Sequence, residues 1–455
     1  MMMTRARLDG VLLVLLGSAV FLFLGISLER HSPASMVDFK DFYYGARCLL
    51  QHSDPYRESD LQRVYQAEQG DHPSTPNEFR QVVTLFINPP TVFLLTTPFA
   101  LLPWGPAHVL WMILSGASFL LAAWLMWTLA AREAPVISGV LICLFLCGSE
   151  LLLEVGNAAG IAVSLCVIAV WCFLKERCVP AGILCLALSL TLKPHVAGLV
   201  WLYFLLAYGR LRKRALQTLA VTAVLSLPVI LWVWHIAPHW NAELHANLQP
   251  FSVHGGLGDP GPAGVDPRLH GATLINMQTA FSIFRDDRRF YNPATYLLCA
   301  PLLLVWAIAT LRRRFSQQSA CLALAAIAAI SMLPLFHRVH DTRLLLLIFP
   351  AFAMLWARGG PTAWFALLFT SAGVVFTDNN LLQLLAIYSN HLRESTPGLP
   401  GLLLTIVLAR PAPLVLLTMG IFYLWIYVRH SSPVDATAAQ NPTTISAADT
   451  ALVSP

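Results

Sequence analysis

Apolar runs of about 15 to 25 residues recur along the chain from Leu8 to Val428, separated by short polar intervals. Each is near the length a helix needs to cross the hydrocarbon core of a bilayer at about 1.5 Å of rise per residue. The pattern predicts spanning helices at residues 8 to 28, 106 to 130, 135 to 153, 157 to 174, 179 to 192, 195 to 209, 215 to 236, 294 to 311, 319 to 336, 343 to 357, 362 to 377 and 411 to 428. The fold class is therefore an all-α polytopic membrane protein with about twelve transmembrane helices. A further apolar stretch, 86 to 103, is interrupted by Asn88, Pro89, Pro90, Pro98 and Pro103. Proline removes a backbone donor and kinks a helix, and broken backbone at membrane depth is tolerated only when buried in protein or facing a cavity. The stretch reads as a re-entrant or broken segment with both ends on one side.

Composition agrees: 57% hydrophobic and 12% charged residues exclude an ordinary water-soluble globular chain. Cytoplasmic loops accumulate Lys and Arg, which orients the bundle. With the N-terminus cytoplasmic, one side receives Arg5, Arg7, Arg132, Lys175, Arg177, Arg210, Arg212, Lys213, Arg214, Arg312 to Arg314, Arg358 and Arg429. Those 14 basic residues stand against five acidic ones, leaving 15 basic and 19 acidic residues outside or at the outer edge. A full crossing at 86 to 103 would carry every later basic cluster outside, a second reason to read it as re-entrant. The formal charge of +5 is a topology signal and implies no nucleic-acid partner. Both termini are expected in the cytoplasm.

The first apolar run is about 20 residues long with no small-residue cleavage site after it, so it reads as a retained helix. Of nine cysteines, most lie within apolar runs and only Cys48 falls clearly in an outer loop, which argues against a disulfide framework. The expected organisation is one integral-membrane domain over 1 to 430, followed by a disordered cytoplasmic tail at 431 to 455 rich in Ser, Thr, Ala and Pro. Two outer loops are long, 29 to 86 and 237 to 293. Loops of that length are usually functional or disordered. The first should be ordered on the membrane surface, with helices over 38 to 50 and 59 to 69 and a turn at Asp54-Pro55-Tyr56. The second should be mobile in its middle and helical over 272 to 284.

Candidate chemistry gathers at the outer ends of the helices. Asp38 and Asp41 sit three apart beside Phe39, Tyr43 and Tyr44 and share one face of a helix. A carboxylate there could take a proton from an attacking hydroxyl; capping and pairing with a nearby base are the plainer alternatives. Asn88 leads the broken stretch, while Glu154, Gly156 and Asn157 form a tight turn. Lys193-Pro194-His195 marks a helix junction where an ammonium could meet lipid phosphate. The densest group is His337-Arg338-Val339-His340-Asp341-Thr342-Arg343, between two apolar helices. Ionisable residues at such a boundary are a functional hypothesis by default, with Arg and His suited to phosphate oxygens. Its histidine spacing matches no strong ligand signature, so no metal is expected. Asp286-Asp287, among Arg285, Arg288 and Arg289, reads as a solvated charge run.

At these residues the chain resembles the polytopic glycosyltransferases of the GT-C superfamily, specifically family 87, the polyprenol-phosphate-mannose-dependent mannosyltransferase group. The matching pieces are Asp38-Phe39 with Tyr43-Tyr44 and Ala46, Asp54-Pro55-Tyr56, Asn88-Pro89-Pro90 with Pro98, Gly156-Asn157, and Lys193-Pro194. Leu274 to Gln278, then His337-Arg338 with Asp341 and Leu344 to Leu347, continue the order, so the resemblance covers roughly 10 to 425. The chain departs from the family in carrying Asn88 where Tyr often precedes the prolines and Asn157 where Gln is common.

The resemblance implies an inverting transferase of the cell membrane with an extracytoplasmic active site. It would move a hexose, mannose in the first instance, from a polyprenyl-phosphate donor to a lipid or glycan acceptor among the membrane lipids. Asp38 would be the catalytic base with Asp41 next in line; Lys193, His337 and Arg338 would hold the phosphate; and Tyr43, Asn88, Glu154, Asn157, Gln278 and Asp341 would line the substrate site. No cofactor or metal is implied. A secondary transporter or lipid flippase is the competing class, but transporters place polar residues near the midplane on discontinuous helices, whereas here they gather at one surface. A ligase moving a whole lipid-linked glycan would share the topology and differ in donor.

Overall fold

The computed structural model describes residues 4 to 32, 35 to 69, 83, 85 to 256, 258 to 261, 274 to 395 and 398 to 429. The expected tail at 431 to 455 and the start of the stretch from 272 lie outside them. The helices are α1 (Arg5–His31), α2 (Val37–Leu50), α3 (Glu58–Gln69), α4 (Phe93–Ala100), α5 (Trp104–Ala130), α6 (Pro135–Cys147), α7 (Ala158–Lys175), α8 (Val179–Leu192) and α9 (Pro194–Leu206). There follow α10 (Arg210–Ile236), α11 (Trp240–Ser252), α12 (Arg288–Arg312), α13 (Gln317–Ile330), α14 (Phe349–Arg358), α15 (Gly360–Val375), α16 (Asn379–Ser395), α17 (Leu399–Ala409) and α18 (Pro411–Arg429). A long 3₁₀ turn, Val339–Ile348, runs into α14, and single turns occur at Leu151–Glu154 and Gln278–Phe281.

Eight helical segments among the described residues are long and apolar enough to cross a membrane, or nine if Gly360–Val375 and Asn379–Ser389, bent by 81°, form one span. The chain is a multi-pass membrane protein, but twelve full-length crossings are not met. The other four expected spans fall on α8, α9, α13 and α15, of 14, 13, 14 and 16 residues. A helix of 14 residues reaches about 21 Å, less than the hydrocarbon core of about 30 Å. The shortening has local causes: Lys193 leaves helical geometry ahead of Pro194, and α13 ends at Ile330 ahead of Pro334. Residues 86 to 103 form a turn at Pro90–Val92 and the eight-residue α4. Both ends of that stretch meet tyrosines of the first outer loop, Tyr56 donating to Asn88 O at 3.0 Å and Tyr43 to Leu102 O at 2.8 Å.

Contacts at helix ends sort into two sets, as antiparallel neighbours require. At one end Met36 N donates to Glu154 O (2.8 Å), Trp111 Nε1 to Gly156 O (2.8 Å), Thr91 Oγ1 to Thr191 O (2.6 Å) and Ile275 N to His337 O (3.1 Å). At the other, Arg214 donates to Phe173 O (3.1 Å), Arg313 to Val428 O (2.6 Å) and Arg358 to Gln318 Oε1 (3.1 Å). The basic clusters sit at this second end. Burial grades across the bundle: 89% of the apolar window in Val339–Arg358 is buried against 11% in α10, so the former is core and the latter faces outward. Where α1 lies on α6, a Cβ at Gly17 would sit 2.7 Å from Cys143 Cα; small residues let apolar helices approach where no hydrophobic force separates protein from lipid. All nine cysteines are free.

Both helices expected in the first outer loop are present, and Asp54 Oδ1 accepts Tyr56 N at 2.9 Å to form the turn between them. The second loop differs from expectation. Its early part is the helix α11, and its end carries only the turn Gln278–Phe281. Tertiary contacts hold α11: the Trp240 ring lies 6.0 Å from that of Tyr56, and Asn247 Nδ2 donates to Tyr56 O (2.9 Å) and Phe86 O (3.1 Å).

Candidate functional site

The first turn of α2 is pinned to the 154 to 157 turn, with Asp38 N donating to Val155 O at 3.0 Å. Gly156 has φ +67, and a Cβ there would lie 2.8 Å from Phe39 Cβ, so glycine is what admits α2. Asn157 then does two things at once. Its Oδ1 caps α7 by accepting Ala159 N at 2.8 Å, which leaves its NH₂ to donate to Asp38 Oδ2 at 2.7 Å. The cap thus fixes which way the amide faces, and the amide orients a half-buried carboxylate.

Asp41 is one turn further along α2 and buried. Its Oδ2 accepts Asn88 Nδ2 at 3.2 Å, while Oδ1 has no partner among the described residues. Burial, with the charge of Asp38 second, holds the Asp41 carboxyl well above the usual range, opposed by the Asn88 bond. Asp41 therefore keeps its proton to higher pH, and Asp38 is the more accessible of the two.

Asp341 organises the opposite wall. Its Oδ2 accepts His337 Nδ1 (3.1 Å) and Arg338 N (3.1 Å), and its Oδ1 accepts Lys193 Nζ (3.4 Å), with His340 Nε2 at 3.8 Å. His337 Nδ1 is engaged, so its buried Nε2, which has no partner among the described residues, is the nitrogen left for a ligand. Lys193 reaches this group from the break between two short helices. Arg338 packs its guanidinium 5.8 Å from the Phe251 ring centroid and 5.7 Å from that of Phe336. Burial lowers its pKa, and the carboxylates of Asp38 and Asp341 oppose this, which ties the two walls together electrically. The bond from Thr91 to Thr191 O brings the Asn88 loop to the Lys193 break.

Other expected site residues fall differently. Tyr43 has no exposed surface; its hydroxyl is used by Leu102 O and its ring packs on Tyr44 and Trp104, so it is a core residue and not a lining one. Gln278 is buried with Nε2 donating to Pro334 O at 2.9 Å, which holds the segment before His337. Glu154 is half-buried at the same turn as Asn157, and its carbonyl accepts Met36 N. Arg343 turns away to Gly148 O at 2.7 Å. His195 carried no role in the sequence reading, yet its ring centroid is 5.0 Å from that of His337; its place next to Lys193-Pro194 was the available signal.

His195, His337 and Asp341 present possible metal-ligand atoms within 4.8 Å of one another. The Lys193 ammonium already stands on that carboxylate, and Arg338 is close by, so the surroundings favour an anion. Asp286 is exposed among exposed Arg285, Arg288 and Arg289, as a solvated run requires, and Asp287 caps α12 by accepting Arg289 N at 2.9 Å.

A sequence model of the family described as glycosyltransferase family 87 matches residues 86–337, just over half of the chain. The match begins before the Asn88-Pro89-Pro90 break and ends at His337, so it includes Asn157, Lys193 and Gln278. No curated protein and no solved structure matches.

Proposed function

The chain belongs to glycosyltransferase family 87 and is a sugar transferase, and from that premise we propose that it moves a hexose, mannose first, from a polyprenyl-phosphate donor to a lipid or glycan acceptor. The reaction is placed at the extracytoplasmic face of the cell membrane and inverts the anomeric centre. Family membership sets aside the transporter and flippase readings. The observation that carries the proposal is the nearness of an amide-oriented carboxylate, Asp38, to the Arg338 guanidinium, whose neighbour His337 shares the Asp341 carboxylate with Lys193.

In this reading the acceptor hydroxyl gives its proton to Asp38 as its oxygen bonds to the anomeric carbon, and the bond from that carbon to the phosphate oxygen breaks on the opposite face. The donor phosphodiester carries one negative charge and leaves as a phosphomonoester. A second phosphate pKa of about 6 makes it a weak base that needs no general acid. The charge that grows on it is met by Lys193, Arg338 and the free ring nitrogen of His337, a stabilisation largest in the transition state. The isoprenoid tail lies between helices.

The test is transfer by the purified protein in lipid nanodiscs, with radiolabelled polyprenyl-phosphate-mannose and extracted membrane lipids or glycans as acceptors. Asp38→Asn keeps the shape and removes proton acceptance, so turnover is expected to fall by about 10² to 10⁴ with donor binding retained. Asp41→Asn is expected to be milder. Wild-type turnover by Asp38→Asn would move the base elsewhere.

A further inference from the structure

The segment 274 to 278 runs antiparallel to the chain that carries His337 and Arg338. Leu274 bridges Arg338, Ile275 N donates to His337 O at 3.1 Å, and Met277 N donates to Leu333 O at 2.9 Å. Ile275 and Met277 both pack into the apolar core of the bundle. Side chains alternate along extended backbone, so Asn276 between them is turned to the opposite side, which is that of Leu274 and its bridge partner Arg338. Two residues of extended chain cover about 7 Å, comparable with the reach from a phosphate to the hydroxyls of a sugar bonded to it.

Asn276 is 3% exposed, and its Oδ1 has no hydrogen-bond partner among the described residues. Its backbone is held, the carbonyl accepting Thr279 Oγ1 at 2.7 Å, so the fold fixes where the side chain starts without using its end. The other buried amides among the described residues are all used. Asn157 caps α7 and holds Asp38, Gln278 Nε2 donates to Pro334 O at 2.9 Å, and Asn379 Oδ1 accepts Gln383 Nε2 at 3.5 Å. A buried amide oxygen that accepts nothing costs stability and calls for a donor from outside the chain. Gln278 adds a second acceptor, since with Nε2 engaged its buried Oε1 is also unpartnered. These oxygens carry no formal charge, and the neighbouring guanidinium disfavours a cation, so the partner they suit is a hydroxyl beside an anion.

We propose that Asn276 is a specificity-determining residue that reads the donor sugar, its amide oxygen accepting a hydrogen bond from a hydroxyl of the hexose whose phosphate meets Arg338. This role rests on the donor reading above and adds the residue that recognises the sugar itself. The experiment uses the full-length protein in nanodiscs and two short-chain prenyl phosphodiesters of equal charge, one carrying mannose and the other methyl, with affinities measured by thermophoresis against empty nanodiscs. The wild type is expected to bind the mannosyl ester about tenfold more tightly than the methyl ester. In Asn276→Leu, which keeps the volume, that advantage should fall about fivefold while the methyl ester binds as before. One of the monodeoxy mannosyl esters should bind the wild type more weakly and lose nothing further in Asn276→Leu, the non-additivity expected of groups in contact. Because the substitution removes an unpartnered buried amide, the thermal midpoint without ligand should equal or exceed that of the wild type; a lower midpoint would assign the amide to the fold and overturn the proposal. An undiminished mannosyl advantage in Asn276→Leu, as expected if the amide holds only a water, would also overturn it, and so would equal weakening of both esters. A wild type that binds both esters alike would sink the sugar contact and leave the donor phosphate standing, whereas one that binds neither would sink the donor reading and the contact with it.

Discussion

At the scale of single residues, Asn157 joins a helix cap and the proposed base through one side chain. Its Oδ1 holds the first turn of α7 and its NH₂ holds Asp38, so substitutions can separate the two roles. Asn157→Ala removes both; it should cost about 1 kcal/mol through the lost cap and lower turnover as well. Asn157→Asp keeps an acceptor for Ala159 N and a negative charge favourable at a helix N-terminus, but sets a second carboxylate against Asp38. It should therefore unfold near the wild-type temperature while turnover drops at least tenfold. Wild-type turnover by the Asp variant would show that the amide does not orient the base. Asp38, Asp41, Lys193, His337, Arg338 and Asp341 stand out in the sequence as candidates because charge at an apolar boundary is costly and demands a reason. Their pairings were not legible, since Lys193 and Asp341 are 148 positions apart. Tyr43 misled because an aromatic beside a carboxylate looks the same in sequence whether it lines a site or fills a core.

At the scale of elements, α11 is fastened over the first outer loop by a carboxylate pair. Arg57 Nε donates to Glu243 Oε1 at 2.8 Å, and Asp54 faces the same glutamate. Burial, then the hydrogen bond to Glu243, raises the Asp54 carboxyl to about 7. A carboxyl whose folded value is raised contributes stability that is complete below its unfolded value, near 4, and is lost as pH climbs through about 7. Above that point two carboxylates face each other and the fastening weakens. Limited proteolysis between α11 and α12 should accordingly be slower at pH 6 than at pH 8, once corrected for protease activity. Glu243→Gln, which can hydrogen-bond to ionised Asp54, should flatten that difference; an unchanged ratio in the variant would place the titrating group elsewhere. α11 escaped the sequence reading for a related reason. His239, Pro250 and scattered polar residues give it little helical pattern, and contacts from Trp240 and Asn247 to the first loop hold it instead. The long apolar helices needed no such help, and periodicity found them.

At the scale of the whole molecule, the order of helices and the grouping of their ends were readable because apolar length and basic clusters are summed over many residues. What length could not give was depth. α8 and α9 are too short to reach from one surface to the other, and the polar residues at their junction and after α13 are brought toward the bundle interior by that shortness. The proposed donor would need this, because its phosphate would have to meet cations while its isoprenoid stays among the tails. The orientation of the bundle remains the boldest inference from charge, and the chain carries its own probe. Cys178 is the one exposed cysteine of the nine, and it lies at the basic end beside Arg177. In intact cells a membrane-impermeant maleimide should leave the wild type unlabelled and should label it after permeabilisation. Arg63→Cys, whose native side chain is 65% exposed in the first outer loop, should be labelled in intact cells, and Arg212→Cys only after permeabilisation. Labelling of positions 63 and 212 from the same side would break the alternation on which the paired walls of the site depend, whereas labelling of Cys178 and position 212 in intact cells, with position 63 protected, would keep the bundle and turn it over.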